Sequence, residues 1–501
     1  MTRIEEIVDQ VYEITVYYRK RDLGLYIEGN SDFDLEISNQ HLDISDITSL
    51  KRALSLDKNW AAVIFQAEDI FSRQRVEPLQ SILDTWIRGA KAQVMGQEIP
   101  FSEIITWCQE ADDTAKRRIL KKEARSLCRF LAPFSHATWK ALTECVEQDL
   151  GYRDYFSFCQ EKKGEILSRY PDRALYFLEE SSSTYFPLMS DWLSSIDSMG
   201  LDEASRFDAI YVLGLRYLDH LFPAQKKGVV GTELILDLFK GLLPKGQGIS
   251  VHIQGKKGRQ SYCIPVEIPW DVHVVAGPVF GWQDLEALCH ELGHALFFAN
   301  NFPGLNLGEK DYFQSAALSE AFAFLFQLVS MSEFFLTEIL SLEREVARLL
   351  EQVHKVKFLT LCRRYAAKAF IEYENFRQNR VSHGQELYAD IMKRHTGFQY
   401  DPETYLFDLM PDFYSIDYFE AFLAAAILKD FLEASFGRGW FLDKHAQDLV
   451  KSWWQEGNRH VLERFLKDKL EVDLDSETLA DFMEGIDPVF FKNVKKMAQI
   501  V

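Results

Sequence analysis

The segment Ala287-Leu-Cys-His-Glu-Leu-Gly-His-Ala-Leu-Phe-Phe298 contains an HExxH motif. His290 and His294 are four residues apart, so on a helix they share a face and present two ring nitrogens to one metal ion. Glu291 projects beside them toward the ion's open position, where a carboxylate can take a proton from water. The chemistry expected of this spacing is hydrolysis at a single zinc ion per chain, with Glu291 acting as base and then as acid.

A third ligand is needed, and Glu320 is the candidate. After Asn300-Asn301-Phe-Pro-Gly304 interrupts the first helix, Ser315-Ala-Ala-Leu-Ser-Glu-Ala-Phe-Ala-Phe-Leu-Phe326 reads as a second helix whose only charge is Glu320. A lone carboxylate on so apolar a helix carries a desolvation cost of roughly several kcal/mol unless it is paired, and a metal ion offsets that cost. The competing account is an Arg or Lys partner for Glu320 and two surface histidines on an amphipathic helix. A third histidine in the HExxHxxGxxH pattern is absent, since Phe297 stands three beyond His294. Two histidines and one glutamate, with water in the fourth position, are therefore the expected ligand set.

Elements of some length must carry these residues. Apolar positions recur at three- and four-residue spacing over Ala124–Phe130, Ala321–Met331 and Val346–Leu361, which predicts a mainly α fold. The exception is Ile249–Ala276, where Ser261–Ile268 and Val272–Ala276 flank Pro269-Trp270-Asp271 and predict a hairpin or small sheet. No repeat, low-complexity tract or Pro/Ser linker divides the chain. The Ser181–Thr184 cluster and the turn at 198–200 place a soft border near residue 200, between an N-terminal helical region (1–200) and a catalytic region (201–501).

Composition narrows the partners. Lys plus Arg is 56 and Asp plus Glu is 76, and the resulting net charge of -20 would repel a nucleic-acid backbone. Local basic spots, Lys226-Lys227 and Lys256-Lys257 with Arg259, are read as solvated loops able at most to meet a small anion. No apolar run reaches membrane-spanning length and the N-terminus lacks a signal-peptide core. The seven cysteines are isolated and odd in number, which fits buried thiols in a reducing cytoplasm.

At this point the chain resembles the thimet oligopeptidase and oligoendopeptidase F family of gluzincin zinc metallopeptidases. The resemblance rests on His290-Glu-Leu-Gly-His294, Ser319-Glu320, Leu150-Gly-Tyr-Arg-Asp-Tyr155, Glu386-Leu-Tyr-Ala-Asp390 and Met410-Pro-Asp-Phe-Tyr-Ser-Ile-Asp-Tyr-Phe-Glu-Ala-Phe422. These blocks span residues 150 to 422 and leave the first 140 or so uncovered. The resemblance implies a two-lobed helical fold, with a small β-sheet beside a deep cleft and zinc on its floor. It also implies an endo-acting oligopeptidase for short unstructured peptides, gripped in part by a strand edge.

The resemblance further implies a tyrosine that stabilises the oxyanion, matching Tyr418 or Tyr414, with Tyr418 preferred. Two departures stand out. Asp412 occupies the position of a histidine in Pro-His-Phe-Tyr, and Phe324 stands where related enzymes carry an acidic partner for a zinc histidine. They motivate a rival expectation, a catalytically silent peptide-binding protein that keeps the fold and the metal, against which the intact Glu291 speaks. A structural helical protein with an accidental HExxH is the third alternative.

Overall fold

The computed structural model describes residues 3–28, 41–54, 61–197, 199–223, 232–244, 248–255, 260–311, 315–474, 486, 488–492 and 494. The basic spots at 226–227 and 256–259 lie outside these residues. α-Helices dominate, as the apolar spacing predicts, and the longest are Arg3–Glu28, Ala61–Gly89, Thr114–Glu144, Arg344–Arg377 and Tyr414–Phe436. The main hydrophobic core draws on both sides of residue 200, from Ile7 to Val494, and includes Trp192, Trp282, Trp440 and Trp454.

Strands are few. β3 (Ile249–Ile253), β4 (Tyr262–Glu267) and β5 (Asp271–Ala276) form one sheet in the order β3-β5-β4. β4 and β5 make the expected antiparallel pair, with Cys263 opposite Val274, and β3 joins β5 in parallel. Alternation along β5 sends Val272, Val274 and Ala276 into the main core, while Val275 meets Ile264, Val266 and Val16 of the first helix.

A hairpin escapes the sequence reading. β1 (Lys91–Val94) and β2 (Gln97–Pro100) pair antiparallel around Met95 and Gly96, whose φ values of 50° and 82° suit a two-residue loop. Met-Gly is not one of the usual Asn-Gly or Asp-Gly turn signals, and each strand is only four residues long.

Two helices carry the expected ligands. The HExxH helix runs Trp282–Ala299 and the Glu320 helix Ala317–Ser330, whose residues are all buried, as an all-round apolar helix requires. They approach closely because Gly293, the second middle residue of HExxH, faces Phe322 and Ala323. A Cβ built there would stand 2.6 Å from the Ala323 Cα and 2.9 Å from the Phe322 carbonyl oxygen. The helix Tyr414–Phe436 lies along the Glu320 helix, with Phe422 stacked on Phe324 at 4.0 Å.

Candidate metal centre

The HExxH helix is fixed at its start and middle by charges. Gly281 lets Asp219 approach closely enough to accept the Trp282 N–H at 3.1 Å, and the Trp282 indole donates to the Leu218 carbonyl at 2.9 Å. Asp284, in the first turn where the helix dipole favours an anion, pairs with Arg216 at 2.7 and 3.0 Å. One turn before His290, buried Glu286 accepts from Lys357 Nζ at 2.8 Å and from the Gln327 amide at 3.0 Å, with His354 Nε2 3.2 Å away. That carboxylate ties the HExxH helix to the Glu320 helix and to the long helix Arg344–Arg377.

Burial alone would push the Glu286 carboxyl up, but Lys357 and His354 hold it down to about 2. The unfolded chain, with an ordinary glutamate near 4.3, therefore takes up its proton first as the pH falls. Stability from this group is complete above about pH 4.5 and is lost on the way down to about pH 2, on the order of 3 kcal/mol. Urea unfolding between pH 5 and 3 is expected to show this loss in the wild type and a shallower slope in Glu286→Gln; identical slopes would contradict it.

The three expected ligands come together. His290 Nε2 lies 3.4 Å and His294 Nε2 3.3 Å from Glu320 Oε2, and all three ligand atoms fall within 4.8 Å of one another. Ligands about 2.0–2.1 Å from an ion at tetrahedral angles stand about 3.3–3.4 Å apart, so both histidine–carboxylate separations match those of a tetrahedral zinc site. Glu320 Oε2 is buried without a hydrogen-bond partner, and no Arg or Lys pairs with the carboxylate among the described residues. Burial would raise the Glu320 carboxyl, yet the facing His294 and His290 hold it well below the usual carboxylate range.

Glu291 sits beside this trio, and its carboxylate accepts the backbone N–H of Cys263 on β4. Burial is the main cause that pushes its carboxyl up to about 7; His290 opposes the rise and Glu320 adds to it. Cys263 was not foreseen, because a main-chain donor leaves no mark in residue type. The edge strand β4 therefore borders Glu291 as well as pairing with β5.

Tyr414 and Tyr418 both reach the site and are engaged differently. The Tyr414 hydroxyl donates to Glu320 Oε1 at 2.5 Å, leaving Oε2 toward the histidines. Tyr418 packs its ring between Tyr365 at 4.6 Å and Phe324 at 5.7 Å, within electrostatic reach of both Glu320 and Glu291. Its hydroxyl has no hydrogen-bond partner among the described residues. Tyr365, one turn-face of the long helix, is a neighbour that sequence reasoning did not single out.

The departures also have a place. The Phe324 ring lies 4.8 Å from that of His290, and the Nδ1 atoms of His290 and His294 are buried without partners. Zinc histidines usually donate from that nitrogen, so aromatic packing here replaces a polar support. Asp412 is bound to Lys162 at 3.0 Å and receives the Tyr155 hydroxyl at 3.4 Å. Asp412 and Phe413 both have left-handed φ values, 55° and 52°, just before Tyr414 starts its helix. Of the other blocks, Tyr152 donates to buried Glu68 and Tyr388 to buried Asp408, so both hold the framework.

No protein-family model matches the chain, and no curated protein sequence does. Among solved structures the chain is similar to one described as "putative oligoendopeptidase F from Bacillus anthracis str. Ames", with a TM-score of 0.58 and 12% sequence identity. The match covers 91% of this chain and 82% of that one. The likeness is one of fold. It agrees with the mainly α architecture and small sheets, and at 91% coverage it takes in part of the N-terminal region that the sequence resemblance left uncovered. No helix of the described residues is long and apolar enough to cross a membrane.

Proposed function

We propose that the chain is a zinc-dependent peptidase that hydrolyses peptide bonds in short unstructured peptides. The observation that carries the reading is the 3.3–3.4 Å spacing of two imidazole nitrogens about one unpartnered carboxylate oxygen, with a raised carboxyl one residue from a ligand. His290, His294 and Glu320 would hold the ion. Bound there, zinc would acidify water and polarise the scissile carbonyl.

The chain's own groups supply the rest. Glu291 accepts a proton from the attacking water as its oxygen bonds to the carbonyl carbon, then delivers that proton to the amine as the C–N bond breaks. The open hydroxyl of Tyr418 donates to the oxygen that gains charge, and Tyr414 holds Glu320 in its ligating orientation. β4, an edge strand whose Cys263 contacts Glu291, would offer main-chain groups to an extended peptide. The fold likeness to a structure described as an oligoendopeptidase supports the same reading. Cleavage of quenched peptides that chelator abolishes and zinc restores is the direct test; chelator-insensitive cleavage contradicts it.

The two tyrosines should separate in kinetics. Tyr418→Phe is expected to lower kcat by about 10²-fold with little change in metal affinity, the loss of one oxyanion donor. Tyr414→Phe should instead weaken metal binding by about 10-fold, as removal of a ligand's hydrogen-bond partner does. Competition titrations against a zinc indicator, run beside steady-state kinetics, distinguish the two, and an identical pattern for both would refute the division of roles.

A further inference from the structure

The turn that leads into Tyr414 is held from the N-terminal region of the chain. Asp412 and Phe413 both take left-handed backbone, with φ values of 55° and 52°. Asp is among the residues that tolerate this region, whereas a bulky aromatic there is an outlier. Such a pair persists only where its surroundings over-determine it. The surroundings here include one face of the helix Tyr155–Lys163. The Tyr155 hydroxyl accepts the Asp412 N–H at 2.8 Å, and Lys162 Nζ donates to Asp412 Oδ2 at 3.0 Å. Phe413 is fully buried and meets the rings of Phe156 at 6.1 Å and Phe376 at 5.2 Å. Lys162 is itself fixed, since it also donates to Asp69 of the helix Ala61–Gly89 and its side chain is 7% exposed. Positions 155, 156, 162 and 163 fall on one helical stripe, and Lys163 holds Asp417 on the other side of Tyr414.

This arrangement fixes the direction of one side chain. Tyr414 is the first residue of its helix, directly after the left-handed pair, and its hydroxyl donates to Glu320 Oε1 at 2.5 Å. A first helical residue has no partner within the helix for its own N–H, so the turn before it decides where it points. The hydroxyl lies at the far end of the side chain, and a change of backbone at Phe413 would swing it away from Glu320.

We propose that Tyr155, Lys162 and Asp412 are positioning residues of the metal centre, holding the left-handed turn that sets the Tyr414 hydroxyl on Glu320. They act through Tyr414, from the side of the turn away from the proposed ligands. What the inference says of zinc rests on the proposed function; what it says of Tyr414 does not, so the test reads the two separately.

The full chain is labelled with fluorotyrosine, kept metal-free and observed by fluorine NMR, the Tyr414 resonance being the one that Tyr414→Phe lacks. Asp412→Ala loses both the Lys162 contact and the tolerance of left-handed backbone, and is expected to move this resonance. Asp412→Asn keeps an oxygen for Lys162 and the same tolerance, and is expected to leave it near the wild-type position. Zinc affinity, read by competition with an indicator, should fall about 10-fold in Asp412→Ala. The same change made in Tyr414→Phe should cost less than about twofold, because both substitutions act through one hydrogen bond. An unmoved resonance, equal displacement by Asn and Ala, or the same zinc loss in both backgrounds overturns the proposal. Should Asp412→Ala fail to fold, Lys162→Met, which lies outside the turn, reads the same resonance and the same comparison of backgrounds. A chain that binds no zinc in any form, with the resonance behaving as stated, would leave the turn's role standing and overturn the zinc reading alone.

Discussion

Glu291→Gln is expected to bind one zinc ion as the wild type does and to lose peptide cleavage by about 10³-fold in kcat, the scale of a removed general acid–base. The amide keeps the shape of the side chain and its place beside Cys263, but it cannot take a proton from water. Because His290, His294 and Glu320 would supply all three ligand atoms under this proposal, the substitution leaves the proposed ligands untouched. Parallel zinc analysis and kinetics check both halves. Near-normal turnover would remove Glu291 from the mechanism, whereas loss of zinc would mean that its carboxylate supports the ligands and does not only act on water.

Lys163→Met is expected to cost about 3–5 kcal/mol in folding stability, the loss that follows when a buried ion pair keeps only one partner. Lys163 Nζ donates to Asp417 Oδ2 at 2.6 Å, and each side chain is 2% exposed. The same carboxylate receives the Ser315 hydroxyl at 2.7 Å and the Ala316 N–H at 3.1 Å, at the entrance to the Glu320 helix. Asp417 thus joins the strand of chain leading to Glu320 to the turn between Tyr414 and Tyr418. Replacing both partners by apolar residues should recover much of the stability, since no charge is then stranded. Urea unfolding of the single and double variants measures this, and a single variant within about 1 kcal/mol of wild type would contradict a fully desolvated pair.

The meeting of His290, His294 and Glu320 was legible because its parts are local. His290 and His294 are one helical turn apart, and Glu320 is conspicuous as the lone charge on an apolar helix, so type and spacing sufficed. The β4–β5 pair was legible for the same reason, as alternating apolar residues around Pro269-Trp270-Asp271. What sequence left hidden is long-range. Tyr365 meets Tyr418 across 53 positions, and Arg206 meets Asp408 from another helix, contacts that no short window contains. The Cys263 N–H that reaches Glu291 is invisible for a different reason, since every residue but proline has one. Asp412 was marked as a departure from a family pattern, but its partner Lys162 lies 250 positions away and only the fold brings them together. Gly293 fell inside the motif as an unspecified residue, although its missing side chain is what lets the two ligand-bearing helices touch.

The central claim is a metal held by His290, His294 and Glu320 that serves hydrolysis. Elemental analysis of protein purified without chelators, wild type beside Glu320→Ala, with cleavage of a quenched-peptide library before and after chelation, tests it most directly. The account predicts one zinc per wild-type chain, a large loss of zinc in the variant and cleavage that follows the metal. Zinc bound without cleavage would reduce the protein to a peptide binder with a metalloenzyme fold, and a wild type that holds no zinc would contradict the claim outright.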